Sequence, residues 1–105
     1  MKKLSEVLSG PEMWCQGKLR QSARGPFCLL GAVQEMLGDI DAPEVAAEAE
    51  GVQDDLHRAI QCVDPEFFGS VSAWNDRDHR TWEDIAAVVD TFDRIRTIRG
   101  AEAGA

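Results

Sequence analysis

The stretch RTWEDIAAVVDTFDRIRTIRG, Arg80 to Gly100, constrains the fold more than any other part of the chain. Trp82, Ile85, Ala86, Val89, Phe92 and Ile95 recur at spacings of three and four, with Ile98 as the last candidate, and so lie in one stripe on a helix. A stripe of that length is unstable in water, so the rest of the chain has to supply a matching apolar surface. Thr81 and Asp84 form a capping-box pattern with the shorter acid. Glu83 and Asp84 suit the positive start of the helix dipole, and Arg94, Arg96 and Arg99 suit its negative end. Gly100 is expected to close this helix, leaving residues 101–105, AEAGA, as a frayed tail.

The matching surfaces lie upstream. Asp41 is a cap candidate and Pro43 fits the first helical turn; Val45, Ala49, Val52, Leu56, Ala59, Ile60 and Val63 then hold one phase through Gly51. Glycine costs about 1 kcal/mol relative to alanine inside a helix, which leaves open one helix or two short ones meeting at Gly51. Pro26 suits the start of a central helix, whose apolar positions Phe27, Leu29, Leu30, Val33, Met36 and Leu37 run up to a stop at Gly38. Leu4, Val7 and Leu8 mark a short helix halted by Ser9-Gly10-Pro11, while Glu12 to Phe27 has no sustained period and suggests a turn or short hairpin around Trp14. The expected fold is therefore mainly α: a compact single-domain bundle of about four helices over residues 1–100, with a short hairpin near Trp14. A chain of 105 residues is large enough to bury a core without disulfide staples.

Several chemistries find no support. No apolar run approaches the roughly 20 residues needed to span a bilayer, and the opening MKKLSEVLSGPEM lacks the apolar core of a secretion signal, so a cytoplasmic protein that does not enter membranes is expected. Cys15, Cys28 and Cys62 are odd in number and contain no CxxC; reduced thiols are expected, with Cys28 and Cys62 as small core residues. Together with His57 and His79 they show none of the short ligand pairs of structural zinc sites, so neither metal nor cofactor is expected. His57 and Cys62 lie five residues apart on a helix, about 140° around the wheel, and Cys15 with His79 matches no local signature of a thiol enzyme. GPFCLLGAV lacks the lysine and hydroxyl of a phosphate loop. A non-enzymatic role is the expectation.

Charge points to a partner. The net charge is −8, and Glu35 to Asp76 concentrates eleven carboxylates against a single arginine, Arg58. Such a surface repels phosphate backbones and favours a protein with a basic surface. The basic residues Lys18, Arg20, Arg24, Arg94, Arg96 and Arg99 do not offset this, and direct nucleic-acid binding is not expected. The candidate partner-binding residues are Glu35, Asp39, Asp41, Glu44, Glu48, Asp54 and Asp55, with Phe67 and Phe68 as apolar anchors in DPEFFGS.

The polar sequence SVSAWNDRDHRTWEDI supplies a second candidate. Asn75 and Asp76 are expected in the turn before the last helix, holding a bend through side-chain to backbone hydrogen bonds, with Trp74 folded inward. The alternative is a small-ligand or nucleotide pocket lined by Trp14, Trp74, Asn75, Asp76 and Trp82.

Three blocks also carry a resemblance. WCQG, CLLGAV and SAWND followed by RTWEDIAAVVD place Trp14, Gly17, Cys28, Leu29, Gly31, Ala32, Ala73, Trp74, Asn75, Asp76, Arg80 and Thr81 in a recurring order. In this the chain resembles an uncharacterised family of short proteins of actinobacteria and bacteriophages, with the pattern Trp-x-x-Gly, Cys-Leu-x-Gly-Ala, Ala-Trp-Asn-Asp. The resemblance implies a compact helical domain of phage or mobile-element origin and transfers no activity. Combined with the acidic middle, it leads to the expectation of an inhibitor of a host protein, of the anti-CRISPR or anti-restriction kind, that occupies the basic groove of a nucleic-acid-processing defence enzyme.

Overall fold

The last helix does find its partner. A computed structural model of the chain describes residues 3–38 and 43–104, with the side chains of residues 43–48 and 99–104 outside that description. Its helices are α1 (Leu4–Val7), α2 (Leu29–Leu37), α3 (Pro43–Val63), α4 (Val71–Asn75) and α5 (Trp82–Gly104), with a 3₁₀ turn at Pro11–Met13. α3 and α5 form the principal packed pair; α1 lies across α2 and α5, and α2 closes the core against α3 and α4. The radius of gyration, 13.2 Å, is that of a well-packed chain of this length.

The buried stripe of α3 is Val52, Leu56, Ala59 and Ile60, and that of α5 is Ile85, Val88, Val89 and Phe92. Around these two rows close Leu4, Val7 and Leu8 from α1, Leu29, Ala32, Val33 and Met36 from α2, and Trp74 from α4. α3 runs without a break through Gly51, which is exposed. Burial of the Val52 to Ile60 stripe outweighs the local cost of one glycine. Val88 is wholly buried although it lies outside the expected stripe, whereas Ile98 is exposed beyond the end of the core. α5 does not stop at Gly100; its helical backbone continues to Gly104 where a frayed tail had been expected.

Three local expectations need correction. Pro26 does not open the central helix: the Gly25–Pro26 peptide is cis, and Phe27 lies extended between Trp14 and Arg20 in isolated bridges. Helix α2 begins after Cys28, whose Sγ accepts the Gly31 N–H. The region around Trp14 is thus a pinned loop, and among the described residues no hairpin ladder forms. In place of a turn at Trp74 and Asn75 there is a further short helix, α4, in which the Ala73 N–H donates to Ser70 Oγ at the cap. The Thr81 box forms as expected, with Thr81 N–H donating to Asp84 Oδ2 at 3.1 Å and Asp84 N–H to Thr81 Oγ1 at 3.3 Å. The cap expected from Asp41 lies outside the described residues.

Candidate functional site

α4 is about one and a half turns long, yet it carries a polar side chain whose hydrogen-bonding capacity is wholly used. Asn75 is wholly buried. Its Oδ1 accepts from Trp14 Nε1 at 2.9 Å and from the Leu29 N–H at 3.1 Å, the latter an otherwise unsatisfied donor in the first turn of α2. Its Nδ2 donates to the Cys15 carbonyl at 3.0 Å and to Asp76 Oδ1 at 2.9 Å. Both lone pairs and both N–H groups of the amide are used, which is the full capacity of an asparagine.

The neighbours extend the joint. Asp76 Oδ1 also accepts the Gly17 N–H, and Gln16 Nε2 donates to the carbonyls of Asn75 and Arg77, each at 2.9 Å. Trp74 Nε1 donates to Asp64 Oδ2 at 3.2 Å, while Arg80 stacks 3.6 Å from the Trp74 ring and donates to the Trp74 carbonyl. This network ties the loop of residues 14–28, the start of α2, the end of α3 and the entry to α5 to one short helix. Trp74 and Asn75 present no surface to solvent, so a ligand could reach them only by displacing protein. Trp82 lies apart from this network, half-buried in a groove with Leu8, Ala86 and Val89. The five residues considered as a pocket are therefore not brought together around one cavity: Trp14, Trp74, Asn75 and Asp76 form a joint, and Trp82 lines a separate groove.

The carboxylates considered for partner binding divide sharply. Asp55 is 1% exposed and pairs with Arg96 of α5 at 3.0 Å, so it belongs to the α3–α5 packing and not to an outer face. Glu35 pairs with Arg20 at 3.1 Å on a half-exposed surface. Asp54 is exposed, as are Glu50 and Glu66, which had not been singled out. Asp39 and Asp41, and the side chains of Glu44 and Glu48, lie outside the described residues. Of the two phenylalanines, Phe67 is a buried plug with the Arg77 guanidinium 5.3 Å from its ring centre, and Phe68 is 86% exposed. Phe67 is thus removed from any outward contact. Helical periodicity could have separated Asp54 from Asp55, since Asp55 lies about 40° from Ala59 on the wheel, at the edge of the buried arc, and Asp54 about 140° from it.

The thiols divide too. Cys15 and Cys28 are buried; Cys62 is exposed, not the core residue expected. Burial, reinforced by Cys28 and Asp76 against the opposing pull of Lys18, pushes the Cys15 thiol up from its ordinary value. Its Sγ lies 3.6 Å from the Lys18 carbonyl and 3.5 Å from that of Pro26, acceptors that suit a protonated thiol. Among the described residues no group of three or more His, Cys, Asp or Glu side chains could hold a metal ion.

Fold and joint together define a small all-α domain whose short fourth helix locks a long loop to the core. The chain belongs to DUF6197, a family of unknown function, whose family model matches residues 2–93. No curated protein and no solved structure matches it. Among the described residues no helix is long and apolar enough to cross a membrane.

Proposed function

We propose that this chain is a small acidic, non-enzymatic interaction protein that binds a host protein through that protein's basic surface, and that it belongs to the phage or mobile-element class of inhibitors. The observation that carries this reading is the outer side of α3 and the loop after it, where Glu50, Asp54 and Glu66 stand exposed on a chain of net charge −8. None of the three joins an ion pair among the described residues, in contrast to Glu35 and Asp55. Carboxylates held in this way attract the lysines and arginines that bind nucleic-acid phosphates, and a groove of that kind in a nucleic-acid-processing defence enzyme is the complementary surface.

The test is affinity capture from nuclease-treated bacterial lysate with the native chain and with a Glu50→Lys, Asp54→Lys, Glu66→Lys variant. The native chain should retain a partner that the variant loses, and retention should weaken as salt rises, because exposed charge attraction is screened. All three positions are exposed, so the melting curve should be preserved. Equal retention of the same proteins by both chains would remove the acidic-face reading.

A further inference from the structure

The loop between α3 and α4 is held on both sides of Phe68. Asp64 N–H donates to the Ile60 carbonyl at 2.7 Å and Phe67 N–H to the Asp64 carbonyl at 3.1 Å, while the Asp64 side chain receives Trp74 Nε1. Phe67 fills the core below, with Arg77 against its ring. On the far side, His57 Nε2 lies 3.2 Å from the Gly69 carbonyl, and Ser70 caps α4 through both its side chain and its carbonyl. Phe68 is left outward on this frame at 86% exposure, the most exposed large apolar side chain among the described residues. A large ring on a backbone already fixed by its neighbours has little conformational freedom left to lose on insertion into a pocket.

The charges near the ring select the partner. Glu66 is exposed two residues before it, and Asp76 and Asp78, also exposed, flank in sequence the Arg77 that reaches the Phe67 ring. Among the described residues, the exposed arginines of this stretch are Arg58, on α3, and Arg77, engaged with Phe67. Two copies of the chain would each bring a net charge of −8 to such a contact, and anionic lipid or nucleic acid would be repelled in the same way. We infer that Phe68 is the insertion anchor of the partner interface, its ring entering an apolar pocket bordered by lysine or arginine on a different protein. This deepens the reading of an acidic interaction protein and rests on it.

The experiment places a photoreactive benzoylphenylalanine at position 68, or at exposed Ala87 of α5 as a control, in the full chain expressed in bacteria. Irradiation at position 68 should give one dominant adduct whose mapped peptide carries an apolar residue flanked by Lys or Arg, absent from the Ala87 control. Against the partner so identified, Phe68→Ala should weaken binding at least about tenfold with an unchanged melting temperature. A partner whose affinity falls with the triple lysine variant but not with Phe68→Ala would overturn the anchor and leave the acidic reading standing. A partner indifferent to both variants would overturn both. A self-adduct at position 68, or an adduct with lipid or nucleic acid, would overturn the assignment of the occupant.

Discussion

At the scale of single residues, Asn75 and Cys15 make the sharpest claims. Asn75→Ala leaves the Leu29 N–H and the Cys15 carbonyl buried without their partner, at about 1–3 kcal/mol for each group. The expected loss, about 3 kcal/mol or more, is a large part of the stability of a small domain and is measured by urea denaturation. Asp76→Ala removes one acceptor of the Asn75 amide and that of the Gly17 N–H, and should cost about 1–3 kcal/mol, less than Asn75→Ala. If Asn75 served a ligand instead, its removal would leave the apo fold close to native stability. For Cys15 the folded chain holds the proton more tightly than the unfolded one. Its contribution is therefore complete below the ordinary thiol value of 9.0 and is lost as pH rises through the elevated folded value. Denaturation midpoints at about pH 8 and about pH 10 should show a fall that is smaller in Cys15→Ala. In the native state only exposed Cys62 should alkylate rapidly.

At the scale of elements, two helical glycines in apparently similar settings predict opposite outcomes. A Cβ at Gly51 meets nothing within 4 Å, so Gly51→Ala should stabilise α3 by up to about 1 kcal/mol and raise the urea midpoint. A Cβ at Gly31 would overlap the Leu19 carbonyl, backbone that cannot step aside without detaching the loop from α2. Gly31→Ala should therefore destabilise by about 1–3 kcal/mol, as over-packing does, and should increase proteolysis within residues 16–25. The sequence displays both glycines inside apolar periodic runs, and nothing local distinguishes them. α1 depends on distance in the same way: its first two N–H groups, Leu4 and Ser5, donate to the Asp93 carboxylate on α5.

At the scale of the whole molecule, the acidic surface is what a partner meets. If attraction between exposed charges carries the association, raising salt from about 0.05 M to about 0.5 M should weaken binding progressively, whereas the fold itself should change little. The Asp55–Arg96 pair between α3 and α5 is the exception: Asp55 is buried and accepts from Arg96 at 3.0 Å, so Asp55→Ala should cost about 1.5–3 kcal/mol, measured by denaturation. A substitution planned from charge alone would have destabilised the domain while appearing to weaken binding, which is why Asp55 has no place in the partner test.

The helical class, the α5 stripe, the Thr81 box and the stop at Gly38 were legible in the sequence, because period, capping and glycine conformation are local properties. So was a structural joint at Trp74-Asn75-Asp76, though not its form. Tertiary structure decided which of the adjacent Phe67 and Phe68, in a loop without a period, faces inward. It also supplied the partners of Asn75, which lie 46 to 61 residues away at Leu29, Cys15 and Trp14. A buried amide is stable only when its donors and acceptors are met, and chain segments brought together by the core meet them here.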